Sequence, residues 1–246
     1  MAAIQHLVTH GTFELDGGSW EVDNNIWIVG DSSEVIVIDA AHDAKAIEDA
    51  VAGRHVVAVV CTHGHNDHIT VAPQLSADLD APVLLNPADT MLWETTHPGK
   101  AFRALADGQV LTAGGIELRA IATPGHSPGS TCLYAPALGA VFAGDTLFAG
   151  GPGATGRSFS DFPTILGSIK DKLGKLPADT VVYTGHGDNT TIGGEIVNYD
   201  DWVARGVRSK LGRSAAGVDE DLGMPIRVTQ CLKRGGDASE SHLAGE

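Results

Sequence analysis

The chain has few cysteines, few basic residues and no long apolar run, and each shortage excludes a class of protein. Its cysteines, Cys61, Cys132 and Cys231, match no metal-binding spacing and predict no disulfide framework, which fits a reducing compartment. The chain has only 16 lysine and arginine residues against 31 acidic ones, and the resulting net charge of −15 disfavours nucleic acid as a partner. No segment approaches the ~20 consecutive apolar residues of a membrane span, so we expect no membrane association.

The remaining composition is that of an ordinary globular protein. With 246 residues, 43% of them hydrophobic, the chain is long enough to bury a substantial core. The segment from Met1 to His6 lacks the charged and apolar regions of a signal peptide. We therefore expect a cytoplasmic protein that acts on a small molecule.

Apolar patterns predict a layered α/β protein. Segments rich in β-branched residues alternate with segments of helical periodicity, which is typical of a sheet buried between helices. In the last predicted helix, Ile196, Val197, Trp202 and Val203 are expected to face the core. The predicted strands are 20–29, 34–39, 56–61, 82–85, 116–122, 131–134, 140–143 and 180–183, and the predicted helices are 43–52, 71–79, 162–176 and 195–210.

The C-terminal part has a different composition. From about Gly206 the chain is rich in glycine, serine and charge, and its apolar residues are too sparse to offset the entropy of ordering. We therefore predict a domain over residues 1–205 and a flexible extension over 206–246. Within the extension, residues 225–229 have the pattern of an edge strand.

One heptapeptide carries most of the chemical information. Thr62-His63-Gly64-His65-Asn66-Asp67-His68 follows the apolar run 56–61, so three imidazoles and one carboxylate come at the end of a predicted strand. A turn there brings the four side chains toward one point. Imidazole and carboxylate together suit zinc, iron or manganese, whereas the alternative is a solvated histidine cluster without a ligand.

Three later predicted strands end in a similar way. Gly125-His126, Gly144-Asp145 and Gly185-His186 each place a glycine directly before a polar residue, after an apolar segment. Glycine permits the backbone bend that turns the next side chain away from the sheet edge. The repetition favours a metal centre over scattered surface residues.

This series of motifs resembles the metallo-β-lactamase superfamily, in its glyoxalase II-like branch. His-x-His-x-Asp-His is followed by Pro-Gly-His, Gly-Asp and Gly-His, and Asp39 at the end of an earlier strand matches the first motif of the family. The resemblance covers about residues 4–205. It implies an α/β fold, the four-layer αββα sandwich, with a dinuclear metal site at one edge of the sheets.

The resemblance also implies the role of each ligand. His63, His65 and His126 correspond to ligands of the first metal, Asp67, His68 and His186 to ligands of the second, and Asp145 to the bridge between them. The expected cofactors are two divalent ions, zinc first, with iron or manganese as alternatives. Two such ions about 4 Å apart lower the pKa of a shared water toward about 7, which supplies hydroxide at neutral pH.

Two carboxylates are the candidate catalytic residues. Asp67 is expected to orient the attacking water through the oxygen that does not bind metal. Asp39 is expected to hold a ligand imidazole by a hydrogen bond, and its alternative role is to cap the following helix.

The same resemblance favours hydrolysis of a thioester of a low-molecular-weight thiol, a conjugate of glutathione or mycothiol type. The alternatives are a mononuclear-iron persulfide dioxygenase, a lactone or other ester hydrolase, and a protein whose metals only stabilise the fold. Persulfide dioxygenases carry Gly-Arg-Thr-Asp-Phe after the aspartate, and residues 156–162 are two residues longer than that motif, which counts against the first alternative.

Two residues after Asp145 are candidates for substrate binding. Arg157 is a cation in a glycine-rich loop and is expected to pair with a substrate carboxylate, unless it is tied to Asp161. Phe159 is expected to wall the pocket, unless it belongs to the core.

Overall fold

Two six-stranded sheets form the frame of the protein in the computed structural model, which describes residues 3–213. The predicted edge strand and most of the predicted extension lie outside the described residues. The first sheet has the order β1-β2-β3-β4-β5-β6, with β1 Ala3–Leu15, β2 Gly18–Gly30, β3 Glu34–Ile38, β4 His55–Val60, β5 Val83–Leu85 and β6 Arg103–Ala104. The second has the order β14-β13-β10-β9-β8-β7, with β7 Val110–Ala113, β8 Ile116–Ala122, β9 Thr131–Ala135, β10 Ala140–Gly144, β13 Val181–Thr184 and β14 Thr190–Thr191; β11 Leu147–Phe148 pairs separately with β12 Gly151–Pro152.

Helices cover the outer face of each sheet. Among residues 3–213, no helix is both long and apolar enough to cross a membrane. The helices are α1 Ala44–Val51, α2 Asn66–Ile69, α3 Ala72–Asp78, α4 Thr90–Thr96, α5 Phe162–Asp171, α6 Ile192–Ile196 and α7 Tyr199–Arg213, with 3₁₀ turns at Pro87–Asp89, Pro136–Leu138 and Leu173–Lys175.

Three layers of apolar side chains separate these elements. One layer lies between the first sheet and helices α1 to α4 and includes Ile47 and Trp93. A second lies between the two sheets and includes Phe142, and a third lies between the second sheet and the C-terminal helices and includes Trp202. The predicted αββα sandwich is therefore confirmed.

A long hairpin opens the chain. Strands β1 and β2 pair antiparallel in continuous register from Ala3 opposite Gly30 to Leu15 opposite Gly18. The tip is a two-residue turn, Asp16-Gly17, in which both residues have positive φ, as tight hairpins require. From Asn24 onward β2 is buried, whereas its first residues alternate between exposed and partly buried. One strand thus serves as a surface element at one end and as core at the other.

The prediction of one continuous helix over residues 195–210 is wrong, because the structure has two helices there. The chain forms α6, leaves the helix at Val197 and Asn198, and resumes in α7. This break changes the face that packs inward, so Trp202 is 1% exposed while Val197 is 77% and Val203 is 38% exposed. Helix α7 continues to Arg213, beyond the predicted end of the helix at residue 210.

Candidate metal centre

The polar residues of all four motifs meet at one edge of the sandwich. The His63–His68 turn follows β4 and runs into α2, and the other ligands follow β8, β10 and β13. Because parallel strands in each half end at the same edge, side chains distant in sequence come together there. The seven predicted ligands, His63, His65, Asp67, His68, His126, Asp145 and His186, form three overlapping groups in which the ligand atoms lie within 4.8 Å of one another.

The first group consists of three imidazoles. His65 Nδ1 lies 3.0 Å from His63 Nε2 and 3.0 Å from His126 Nε2. The three nitrogens therefore point at one another. Three convergent imidazole nitrogens are a common donor set for zinc and iron.

The second group combines two imidazoles with a carboxylate. His68 Nε2 and His186 Nε2 lie 3.1 Å apart. Asp67 Oδ2 lies 3.3 Å from His186 Nε2 and 3.5 Å from His68 Nε2.

Asp145 lies between these two groups and forms the third group with His63 and His68. Its Oδ1 is 3.4 Å from His68 Nε2, and its Oδ2 is 3.5 Å from His126 Nε2. Gly144 has φ +47°, which bends the chain at the end of β10 and directs Asp145 inward. Gly185 is required by close approach, because a Cβ there would lie 2.3 Å from Asp145 Oδ1. The carboxylate thus occupies the position predicted for a bridge.

Asp39 holds both ends of the ligand turn. Its Oδ2 lies 2.9 Å from His68 Nδ1, its Oδ1 accepts a 2.7 Å hydrogen bond from the Thr62 amide, and Thr62 Oγ1 donates to Oδ2 over 3.0 Å. The following helix is capped instead by Asp43, whose carboxylate accepts from the Ala46 amide. Asp39 is therefore the predicted support of a ligand imidazole and not a helix cap.

Other ligand imidazoles are held in the same way through the nitrogen that faces away from the centre. Such bonds fix the tautomer and the ring orientation of a metal-binding histidine. His186 Nδ1 donates to Asp23 O over 2.7 Å, His126 Nδ1 donates to Ala154 O over 2.8 Å, and His63 Nδ1 lies 3.1 Å from Thr62 Oγ1.

Asn24 is a component that the sequence analysis missed. This fully buried residue on β2 donates from Nδ2 to Asp67 Oδ2 over 3.1 Å, and the same nitrogen lies 3.4 Å from His68 Nε2 and 3.5 Å from His186 Nε2. On the other side, Asn24 Oδ1 lies 2.9 Å from His42 Nε2. The amide thus contacts all three members of the second group.

The neighbours of Asn24 extend this support. Asn25 binds the backbone of the loop that carries His186. Its backbone N–H donates to Gly185 O over 2.8 Å, and its side-chain Nδ2 donates to Gly187 O over 3.0 Å. A signal was present in the sequence. Three consecutive polar residues, 23–25, interrupt a strand that is otherwise apolar where it enters the core.

The electrostatics of the two groups differ. Burial and the neighbouring His126 lower the pKa of His65 to about 3, which keeps its nitrogen free to bind a cation. Burial opposes protonation of His186 as well, but the carboxylates of Asp145 and Asp67 raise its pKa to about 10. The second group therefore carries buried negative charge that favours a positive partner.

Unsatisfied atoms point to the same conclusion. Asp67 Oδ1 and Asp145 Oδ1 are buried and accept no hydrogen bond within the described part of the chain, a costly state for a carboxylate oxygen in the absence of a cation or water. Nitrogen and carboxylate donors arranged as two groups with a shared aspartate fit two divalent metal ions.

A small cavity opens onto this floor. Its volume is about 50 Å³, and five of the predicted ligands, His65, Asp67, His126, Asp145 and His186, line its base. Its walls are mainly apolar, and they come from the hairpin and from the segment after Asp145. The wall residues are Phe13, Leu15, Val22, Phe148, Ala154, Arg157, Ser158 and Ser160.

The two predicted substrate residues have different positions. The Arg157 guanidinium lies 3.9 Å from the Trp20 ring centroid and 5.9 Å from that of Phe13, in the cavity wall. Asp161, its alternative partner, caps α5 by accepting from the Thr164 amide. Phe159 is 43% exposed with φ +69° and is not part of the wall, which corrects the prediction for that residue. The aromatic walls come from Phe13 and Phe148 instead.

Comparison with known proteins identifies the family. A family model described as the metallo-beta-lactamase superfamily matches residues 20–186. An uncharacterized protein from Aquifex aeolicus is 36% identical over 185 residues, which cover 70% of this chain and 88% of that protein. A hydroxyacylglutathione hydrolase from Acidiphilium cryptum is 34% identical over 181 residues, which cover 73% of this chain and 70% of that enzyme.

A solved structure agrees with these relatives. The crystal structure of TTHA1623 in a di-iron-bound form superposes with a TM-score of 0.65 at 30% identity, over 70% of this chain and 92% of that one. Fold, ligand motifs and relatives all lead to one assignment. The chain is a metallo-hydrolase that belongs to the metallo-β-lactamase superfamily.

Proposed function

We propose that the protein hydrolyses a thioester of a low-molecular-weight thiol. The observation that carries the proposal is the shared position of Asp145 between two metal-ligand groups at the floor of a mainly apolar cavity. The hydroxyacylglutathione hydrolase from Acidiphilium cryptum, whose name states thioester chemistry on a thiol conjugate, supports this substrate class. We further propose that the protein acts on small molecules in the cytoplasm.

The reaction assigns a task to each part of the floor. Two bound divalent ions supply Lewis acidity and a water of lowered pKa. Asp67 would help to hold the second ion through Oδ2, and its Oδ1 would accept a hydrogen bond from the water and orient it toward the thioester carbonyl. Asp39 keeps the His68 ring fixed through Nδ1 during this step.

The cavity limits what lies close to the metals. A volume of about 50 Å³ holds only a few atoms, whereas sites for whole small ligands span roughly 300–1,000 Å³. We therefore propose that the thioester group enters between Phe13, Leu15 and Phe148, and that the rest of the thiol lies outside along the hairpin. The match covers 70% of the Acidiphilium cryptum enzyme and not its whole length. We therefore include conjugates of both glutathione and mycothiol in the proposal.

Arg157 is proposed to bind a carboxylate of the substrate. Its guanidinium lies over the Trp20 ring at the cavity wall, and a planar guanidinium held in this way suits a two-pronged interaction with a carboxylate. In a chain of net charge −15, this cation also offsets repulsion of an anionic substrate.

Zinc is the proposed metal, with iron and manganese as alternatives. The donor set of imidazoles and carboxylates accepts all three. Of the two alternatives, iron is supported by the di-iron-bound form of TTHA1623.

The first test combines metal content with a substrate panel. Protein purified without added metal or chelator is analysed by elemental mass spectrometry, and release of thiol from S-acyl conjugates of glutathione and of mycothiol is followed with a thiol-reactive dye. We expect about two ions per chain and turnover of at least one conjugate.

Two other results would contradict the proposal. One iron per chain with oxygen consumption on a thiol persulfide would indicate the dioxygenase instead. Turnover of a lactone, a phosphodiester or a β-lactam, with no turnover of any thioester, would show that the proposed substrate class is wrong and would leave the metal centre unaffected.

A further inference from the structure

Asp89 is a buried carboxylate that the proposed chemistry does not use. It lies at the start of α4 and is 1% exposed. Its Oδ2 accepts from the Gly64 amide over 2.8 Å and from Ser127 Oγ over 2.6 Å. Its Oδ1 accepts from the Gly129 amide over 2.6 Å. Three donors from two separate loops thus converge on one side chain.

These two loops carry the entire first ligand group. Gly64 is the residue between His63 and His65, and Ser127 directly follows His126. Each of the three imidazoles is therefore next in sequence to a group that Asp89 binds. Asp39 bonds to His68 and to Thr62 at the start of the same turn, and Asn24 bonds to Asp67, so the second group has supports of its own.

Asp89 is itself held in place. It ends the 3₁₀ turn Pro87–Asp89, which Asn86 caps by accepting from the Ala88 amide, and it begins the helix that Trp93 anchors in the core. Packing against the loop is close, because a Cβ added to Gly64 would lie 2.9 Å from Asp89 Cβ. Because the Asp89 carboxylate has a defined position, it can hold the two loops that it binds at a defined distance from each other.

We propose that Asp89 is a positioning residue for the first metal. By binding both loops, it sets the separation between the His63–His65 turn and His126, and thereby the affinity of this group for its ion. The second group does not depend on it. The inference rests on the metal centre and not on the identity of the substrate.

The test measures the affinity of each metal group separately. Zinc content is determined by elemental mass spectrometry across a series of buffered free zinc concentrations, with His126→Ala and His186→Ala identifying the step that belongs to each group. Asp89→Asn keeps the shape of the side chain but replaces one acceptor with a donor. We expect affinity for the first ion to fall about 10- to 100-fold, as for other supports of metal ligands, with affinity for the second ion unchanged.

A matched control comes from another loop. Asp31 also accepts three hydrogen bonds, from the Ser33 amide, Ser33 Oγ and the Glu34 amide, but lies outside the metal centre. Asp31→Asn is expected to change stability without changing either zinc affinity. This control separates loss of a loop carboxylate in general from loss of this one.

A milder variant guards against failure to fold. Ser127→Ala removes one of the three donors to Asp89 and leaves the carboxylate and both amide bonds in place. It is expected to weaken the first ion alone, by a smaller factor. Equal weakening of both ions, or no change in the first, in Asp89→Asn or in Ser127→Ala would overturn the proposal. Because zinc binding is the readout, this outcome is independent of whether thioesters are substrates.

Discussion

The floor and the walls of the cavity are built by different means. On the floor, five ligands are buried, Asp145 and His186 are half-buried, and most are held by a second hydrogen bond, as with His68 by Asp39 and His186 by Asp23 O. The walls consist of apolar side chains and one stacked cation, Arg157, contributed by the hairpin and by an irregular segment. The floor therefore has one arrangement, whereas the walls depend on a few contacts that single substitutions can change.

This difference between floor and walls predicts that substitutions in the two regions have different effects. Changes on the floor should remove metal and with it most of the activity, whatever the substrate. Changes in the walls should alter the choice of substrate and leave the metal content intact.

The largest effect is expected from Asp145→Asn. The amide cannot serve both metal groups as the carboxylate does, so thioester hydrolysis should fall about a thousandfold or more, with loss of about one metal ion per chain. Steady-state kinetics and elemental mass spectrometry measure the two effects. Asp179→Asn, at an exposed loop before β13, is the control. Near-normal activity in Asp145→Asn would show that the aspartate is not shared between the metals.

Asn24→Ala should have a smaller effect, restricted to the second group. Loss of the bond to Asp67 Oδ2 leaves that carboxylate free to rotate, and we expect affinity for the second ion to fall about 10- to 100-fold. The buffered zinc series measures this change. Asn198→Ala, at an exposed position before α7, should leave both affinities unchanged. An unaltered second affinity in Asn24→Ala would mean that the amide only fills space.

Arg157→Gln tests the walls. For a thioester that carries a carboxylate, kcat/KM should fall about 10-fold or more, because a charge-assisted hydrogen bond contributes roughly 1.5–3 kcal/mol. For the neutral amide analogue of the same substrate, kcat/KM should be unchanged, and metal content should stay constant. Arg119→Gln, exposed on β8, is the control. Equal losses on both substrates would argue against carboxylate recognition.

The smallest effect is expected from Asp16→Asn. The Ser158 amide donates to Asp16 Oδ2 over 3.0 Å and joins the hairpin tip to the Arg157 segment. Losing one exposed hydrogen bond should raise KM about two- to fivefold without changing kcat. Kinetics with the carboxylate substrate measure it, with Glu117→Gln as the control. A change in kcat alone would place the effect on the floor instead.

This link also has a defined pH dependence. Hydrogen bonds from Ser158 lower the pKa of Asp16 below its ordinary value of 3.8, so the charged carboxylate is favoured in the folded protein. The contribution of this link to stability is therefore present above pH 3.8 and is lost as the pH falls through the lowered pKa of Asp16 in the folded protein.

The sequence was sufficient for the floor because its signals are local. A strand, a glycine and a histidine or aspartate are adjacent in the chain, and the ends of neighbouring strands meet by the geometry of a sheet. The supports were not predictable in this way. Asn24 and Asp67 are 43 positions apart, and Asp89 and Gly64 are 25 apart, so neither contact leaves a pattern within one segment.

The walls and the last helix were hard to predict for other reasons. Phe13 and Leu15 have the character of any strand residue, and only the fold shows that the hairpin reaches the cavity. Phe159 was the more obvious aromatic candidate because it is close in sequence to Asp145. In the C-terminal helix, a break at Val197 changed the buried face, which apolar periodicity alone does not reveal.

The hairpin of β1 and β2 has a consequence for how such an enzyme diversifies. Its middle supplies Asp23, Asn24 and Asn25 to the metal centre, whereas its tip supplies Phe13 and Leu15 to the cavity wall and Trp20 as the ring beneath Arg157. The two strands pair continuously through their backbones, and the side chains at the tip take no part in that pairing. Substitutions at the tip can therefore change the substrate of the enzyme in small evolutionary steps while the hydrolytic chemistry of the metal centre is retained.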